Sequence, residues 1–176
     1  DNIIENFPQY DYVIINDGSQ DNTEEICIKN GFNFISHPVN LGLAGAVKTG
    51  MMYAVKKNYD AAIQFDGDGQ HDPAYIGLMA EKIQEGYNIV IGSRFVSEKK
   101  PASLRMLGSN LIQGAIALTT GKKITDPTSG MRMFDKSIIA RLATAVDMGP
   151  EPDTVALLIR HGAKVTEVQV DMHERI

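Results

Sequence analysis

The sequence predicts an α/β fold with a mainly parallel sheet flanked by helices, on three observations. Short apolar runs of strand length alternate with longer runs of helical periodicity along the 176 residues, the pattern of repeated strand–helix–strand units. Two apolar runs, residues 12–15 and 61–65, lead straight into the polar clusters "NDGS" and "DGDGQ". A strand has to stop there, and parallel sheets place ligands at such ends. Helix boundaries are signalled by Asp21-Asn22 and Asp72-Pro73 at starts and by Gly31 at a stop.

The elements follow in order. Residues 1–7 read as the tail of a helix, and 12–15 as a strand stopped by Asn16-Asp17-Gly18-Ser19. A helix spans roughly 22–30, followed by a strand at 32–35. Residues 41–57 have helical spacing, with Leu41, Ala44, Val47, Met51, Ala54 and Val55 on or near one side. Residues 61–65 form the third strand, 73–85 a helix and 88–91 the fourth strand. On an apolar helix at 103–119, Leu104, Leu107, Leu111 and Ala115 can touch a membrane or pack in the core, and core packing is the expectation. A short strand at 131–134, helices near 136–144 and 152–162, and a strand at 164–170 complete the chain. With no repeat, low-complexity tract or linker, residues 1–176 read as one domain. Because it opens inside a helix and stops abruptly at Glu174-Arg175-Ile176, the expectation is a domain truncated at its N-terminus and at its C-terminus.

Hydrophobic content of 43% and charged content of 22% suit an ordinary globular protein. No apolar run approaches the ~20 residues of a membrane span, and no signal-peptide pattern is present. Cys27 is the single cysteine, so it forms no intrachain disulfide and reads as a buried, inert thiol. A cytoplasmic setting fits. The net charge of −5 is uneven: residues 1–91 carry −8, residues 92–141 carry +6 and residues 142–176 carry −3. The basic segment can face a phosphate or an anionic membrane surface; the plainer alternative is a solvated face.

The stretch "FDGDGQHDP" holds most of the chemistry. Asp66 and Asp68 sit two apart between a strand end and a helix start. Two carboxylates in one small site repel, and a divalent cation relieves that; Mg2+ and Mn2+ take oxygen ligands, often carboxylates together with substrate phosphates. The alternative is a polar turn, which Asp-Gly repeats also form. If the strands are parallel, Asp17, Asp66 and Asp68 converge on one edge, which favours a site. Other motifs fit less well. An Asp-x-Asp-Gly phosphatase signature usually opens its domain, and here a strand–helix–strand–helix unit precedes it. A calcium-binding helix–loop–helix needs Gly and Glu where His71 and Gly77 stand. "GLAGAVKTG" lacks the dinucleotide-binding glycine spacing.

Five segments in order, "VIINDGSQDNT", "NLGLAGAVKTG", "FDGDGQHDP", "IGSRF" and "DPTSGMRMF", together resemble family 2 glycosyltransferases of the GT-A fold, a Rossmann-like sheet flanked by helices. The likeness is strongest to the dolichol- or polyprenyl-phosphate mannosyl- and glucosyltransferase branch and its bacterial polysaccharide relatives. It spans nearly the whole chain. The resemblance implies a nucleotide site at Asp17, Gly42, Asp66 and Gly67, with Asp17 accepting hydrogen bonds from the base. It implies a metal shell of Asp66, Asp68 and Gln70 for Mn2+ or Mg2+. Arg94, Arg105, Ser109 and Arg175 match positions that hold an acceptor phosphate, and Asp126 is a candidate base, with Glu151 an alternative.

Some of this stands on the residues alone. Arg105 and Ser109 are four apart on a predicted helix and share a face; Arg94 follows a strand end; the arginine fork suits phosphate. Each also has a structural alternative. Arg94 can cap a carbonyl, Arg105 can be a surface arginine, Asp126 can start a turn before Pro127, and Glu151 and Asp153 can dress a helix N-terminus. His71 is not counted as a ligand.

The expectation is a metal-dependent inverting glycosyltransferase. It moves a sugar from a GDP- or UDP-linked donor to a polyprenyl-phosphate or glycan acceptor, with peripheral membrane contact at the inner face and no nucleic-acid partner. Two other readings are a nucleotide-sugar binding fragment without turnover and a haloacid-dehalogenase-like phosphatase.

Overall fold

The computed structural model describes residues 2–97, 104–145 and 148–173. The order is α1 (Asn2–Asn6), β1 (Ile14–Asn16), α2 (Thr23–Lys29), β2 (Phe34–Ser36), α3 (Gly42–Lys57), β3 (Ala61–Gln64), a 3-10 turn (Pro73–Tyr75) leading into α4 (Ile76–Gln84), β4 (Ile89–Ser93), α5 (Leu104–Thr120), β5 (Arg132–Asp135), α6 (Lys136–Thr144), α7 (Pro152–Arg160) and β6 (Val165–Gln169). Every predicted strand and helix is present, with ends displaced by a few residues.

Local signals account for the boundaries. Asp72 accepts the Ala74 N–H at 2.8 Å and Asp135 accepts the Ile138 N–H at 2.9 Å, each satisfying an orphan donor at a helix start. Asn58 ends α3 in the left-handed region at φ 59°, a conformation asparagine tolerates better than most residues. Cys27 is buried and free, as expected.

The sheet departs from the expectation in two ways. β1 and β2 form a separate two-stranded parallel sheet, while the larger sheet has the order β3-β5-β4-β6. Within it β4 and β6 are parallel, but β5 runs antiparallel to both β3 and β4. β3, β4 and β6 thus run the same way, and the larger sheet is mainly parallel with β5 reversed. The loop after α5 explains the reversal. Thr125 and Asp126 are tied to Ser93, Arg94 and Glu167 at the carboxyl end of β4, so the chain enters the sheet from that edge and must run back.

β4 is the centre of the core: Ile89, Val90 and Ile91 are all fully buried. Successive strand residues point to opposite faces. Ile89 and Ile91 pack with Val47, Met51, Ile138, Leu142 and Leu158 from α3, α6 and α7, and Val90 packs with Ile76 and Met79 from the α4 side. Each such side chain removed from water contributes about 1.5–3 kcal/mol. Helices on both faces are why β4 reads as an unbroken apolar run. Among the described side chains of α5 the apolar core contact is Ile116, whereas Leu111 is 70% exposed and Ala115 is also exposed, contrary to the expected packing of those two residues. Leu104 and Leu107 side chains fall outside the described residues. Among the described residues, no helix is long and apolar enough to cross a membrane.

Candidate active site

Strand register assembles the site. Arg132 on β5 lies opposite Gln64 of β3 on one side and Ile91 of β4 on the other. β3 and β4 thus end on the same edge, and the loop 126–130 descends between them. Asp66, two residues past Gln64, and Arg94, three past Ile91, stand on either side of that loop. A Cβ on Gly130 would collide with Asp66 Oδ2, so glycine there lets the loop lie against the acid.

The acidic loop after β3 is open. Asp66 is exposed, and Asp68 and Gln70 are partly exposed. Asp68 Oδ1 accepts the Gln70 N–H at 3.1 Å, Asp66 Oδ1 meets Gln64 Nε2 at only 3.4 Å, and the Gln70 carbonyl accepts the His173 N–H at 2.9 Å. Gly69, at φ +75°, makes the tight return that brings Gln70 back over Asp68. His71 is buried beneath. Its Nδ1 accepts the Asp66 N–H at 3.3 Å, and its ring sits edge-on to Phe65 with centroids 5.6 Å apart. Burial pulls the His71 pKa down, Asp66 and Asp68 push it up, and Arg94 pulls it down. The side chain thus braces the loop.

The basic side is closed. Arg94 donates from Nε to Asp126 Oδ2 at 2.7 Å and from Nη2 to Asp126 Oδ1 at 2.9 Å. Asp126 is 0% exposed, and the Arg94 side chain is 25% exposed. The expected structural alternative for Arg94, a carbonyl cap, gives way to a bidentate carboxylate pair. This also changes the expectation for Asp126: in this conformation both its oxygens are engaged, and it orients Arg94 rather than facing a substrate hydroxyl. Glu167 on β6 holds the loop itself, accepting the Thr125 N–H at 2.7 Å, the Thr125 hydroxyl at 2.9 Å and the Asp126 N–H at 2.9 Å.

Beneath both sides lies Arg132, 2% exposed. It donates to the carbonyls of Ser129 at 2.9 Å, Pro127 at 2.7 Å and Pro150. It therefore staples the loop 126–130 to the segment before α7. Burial lowers its pKa to about 10, while Asp126, Glu151 and Asp66 oppose that loss. The guanidinium stays charged at neutral pH. Glu151 precedes α7 without a side-chain cap bond and curls over Gly149, where a Cβ would collide with its carboxylate.

Asp17 stands on the smaller sheet. β1 and β2 pair in parallel with Asn16 opposite Ser36, which puts Asp17 beside His37. Asp17 Oδ1 accepts from His37 Nδ1 at 2.8 Å and from the Leu41 N–H at 2.8 Å. These bonds, the His37 bond first, hold its carboxyl below the usual carboxylate range. Gly42, at φ +76°, opens α3 next to it. Gly67 has open space around it, and Ser109 is buried on α5. The Arg105 side chain and Arg175 lie outside the described residues.

The sequence reading missed Glu167, Arg132 and His37. For two of them a signal was present: a charged residue placed in a strand beside apolar neighbours, Glu167 in "VTEVQ" and Arg132 in "RMFD", needs partners where it is buried.

The chain matches the model of "Glycosyl transferase family 2" over residues 1–143. It belongs to that family. Among the relatives of this family 2 glycosyltransferase is the UDP-N-acetylglucosamine–dolichyl-phosphate N-acetylglucosaminyltransferase of Methanococcus voltae. It is 31% identical over 166 residues, covering 81% of this chain and 66% of that protein. The dolichol-phosphate mannosyltransferase of Pyrococcus furiosus is 32% identical over 139 residues, covering 74% of this chain and 39% of that one. The glycosyltransferase chain thus spans from 39% to 66% of these relatives' length. Glucosyl-3-phosphoglycerate synthase from Mycobacterium tuberculosis, solved with uridine diphosphate, superposes with a TM-score of 0.67 at 17% identity, covering 99% of this chain and 66% of that one. The same enzyme was solved with Mn2+ and UDP-glucose, with a TM-score of 0.65 at 16% identity and coverage of 93% and 60%. At that identity the likeness establishes the GT-A fold. The phosphatase reading of Asp66 and Asp68 is overturned by the family match.

Proposed function

We propose that this family 2 glycosyltransferase moves a sugar, with inversion, from a nucleotide-diphosphate sugar to a polyprenyl phosphate. The observation that carries the reading is the pairing of two unlike loops on one sheet edge. An exposed carboxylate, Asp66, and a partly exposed one, Asp68, stand on one side of residues 126–130, and a fixed arginine, Arg94, on the other. The relatives named for dolichyl-phosphate substrates support the acceptor class.

Donor side first. Asp17 accepts from the base, and Asp66 with Gly67 borders the ribose. The donor set of Asp66, Asp68 and Gln70 is all oxygen and fits Mn2+ or Mg2+. Among the described residues no group of three or more His, Cys, Asp or Glu makes a complete cage, and a hard cation bound by two carboxylates uses substrate phosphates and water for the rest of its shell. The buried, unpartnered Oε1 of Gln64 beside Asp66 also fits an ordered polar occupant. When bound, such a cation neutralises charge on the diphosphate.

On the acceptor side, Asp126 takes Nε and Nη2 of Arg94 and leaves Nη1 for a phosphate oxygen. Arg105, Ser109 and Arg175 complete the acceptor group in this reading. A phosphate acceptor is already anionic at neutral pH and needs no general base. If the acceptor is a saccharide hydroxyl, Glu151 is the candidate base, because Asp126 is engaged. The site works at the inner face of a membrane, where a lipid acceptor is presented.

The test is incubation with UDP- and GDP-linked sugars, Mn2+ and a polyprenyl phosphate, with glycolipid detected by mass. Glycolipid formation, abolished by Asp68→Asn, is the expected result. Transfer to a saccharide alone would overturn the acceptor. Metal-dependent nucleotide binding with no transfer to any acceptor would favour the binding-fragment reading.

A further inference from the structure

The Asp17 carboxylate is not an open acceptor. A carboxylate offers four lone-pair sites, two per oxygen. Both sites on Oδ1 are taken, one by His37 Nδ1 at 2.8 Å and one by the Leu41 N–H at 2.8 Å. The neighbouring Gly42 N–H lies near enough to favour the ionised carboxylate, but it bonds Asn40 Oδ1 at 2.9 Å. The side available to a ligand is Oδ2. The Asp17 side chain is 19% exposed and that of His37 is 8% exposed, so the acid reaches solvent while its partner does not.

The histidine cannot easily swing away. Its Nε2 meets Thr49 Oγ1 at 2.8 Å, and Thr49 is fixed to the Gly45 carbonyl at 3.0 Å within α3. With Asp17 ionised, Nδ1 must carry the proton that it donates, which assigns the ring's orientation. The backbone closes the arrangement from the other side. Gly18 sits at φ +69°, and a Cβ there would come within 2.6 Å of the Asn40 nitrogen. The "NDGS" turn and the loop after β2 are therefore pressed together, with Asp17 Oδ1 facing inward.

We infer that Asp17 presents one carboxylate oxygen to the nucleotide base and thereby selects uracil over guanine, with His37 as the positioning residue. This rests on the reading of Asp17 as the base-binding acid. Guanine offers two adjacent donors, N1–H and the 2-amino group, and pairs with a carboxylate through both oxygens. Here one of those oxygens is saturated, so one guanine donor is left buried and unpaired. Uracil offers a single donor, N3–H, flanked by carbonyls, and needs one oxygen. Adenine and cytosine place an unprotonated ring nitrogen beside their amino group, which a carboxylate repels. Between guanosine and uridine donors, the substrate is thus a uridine-diphosphate sugar.

The experiment is calorimetric titration of UDP and of GDP, each with Mn2+, into the chain and into its Asp68→Asn, His37→Ala and His37→Asn variants, with thermal melting to confirm folding. Asparagine at 37 places an amide N–H where His37 Nδ1 stands. UDP is expected to bind about tenfold or more tighter than GDP. His37→Ala should bring that ratio to within about threefold, and His37→Asn should restore it. Equal or tighter binding of GDP, still weakened by Asp68→Asn, would overturn the uracil selection and leave the nucleotide site standing. An unchanged ratio in a folded His37→Ala protein would overturn the role of His37. Should that variant not fold, the ratio in the unaltered chain decides the selection. Binding of neither nucleotide overturns the site reading and the selection with it.

Discussion

Two loops on one sheet edge use the same residue in opposite ways. In residues 66–70 the aspartates are exposed or partly exposed, and their hydrogen bonds to Gln64 and Gln70 span two positions. In residues 125–130 the aspartate is 0% exposed and bonded to an arginine 32 residues away in sequence. The Asp66 carboxylate stays open to solvent; the Asp126 carboxylate spends both oxygens on Arg94. The difference teaches that an acid's role follows from which partners reach it first. A buried carboxylate without a cation would carry a desolvation cost of several kcal/mol, so Asp126 must be paired, whereas water solvates Asp66 at little cost.

The largest effect that tests this contrast lies beneath the closed loop. Arg132→Met leaves three carbonyls without their donor and should cost about 3–5 kcal/mol in a urea unfolding experiment. A loss below about 1 kcal/mol would mean that the staple is dispensable. Next comes Asp126→Asn, expected to cost about 2–3 kcal/mol, less than a fully buried pair because Arg94 can turn partly to solvent. Combined with Arg94→Met it should cost less than the sum of the two single changes, and additivity would break the proposed coupling. In the open loop, Asp66→Asn should alter stability by less than about 1 kcal/mol while weakening Mn2+-dependent nucleotide binding by about tenfold or more. If it destabilised the chain as much as Asp126→Asn, the contrast between the loops would be wrong.

The smallest effect concerns pH. The Asp17 carboxyl is held below its ordinary 3.8, chiefly by His37. A depressed carboxyl stabilises the folded state above its unfolded value, and that contribution is lost as pH falls through the folded value. Asp17→Asn should therefore flatten the decline of the melting temperature as the pH drops below 3.8. An unchanged acid profile would show that the His37 bond contributes nothing there.

Much of the site was legible from local features. Asp66 and Asp68 stood out because a strand that runs into aspartate and glycine can only end, and Asp72-Pro73 marked the next helix; Gln70 came only from the family resemblance. Arg94 was visible as a cation just past a strand. Its partner was not: a pairing between residues 94 and 126 depends on β5 running antiparallel between β3 and β4, and no periodicity records strand direction. His37 was overlooked for the same reason, since it meets Asp17 only through the Asn16–Ser36 register.

By itself the sequence determined the order of strands and helices and the acidic ends of β1 and β3. Periodicity, caps and turn residues act within a few positions of one another, so they can be read in a line. Only the tertiary structure decided which way β5 runs, that Arg94 belongs to Asp126, that Arg132 holds three carbonyls, and that Asp17 has one oxygen left to give. Those are meetings of residues about 20 or more positions apart for Asp17 and His37 and farther still for Arg94 and Asp126, created when strands choose neighbours and a shared core excludes water.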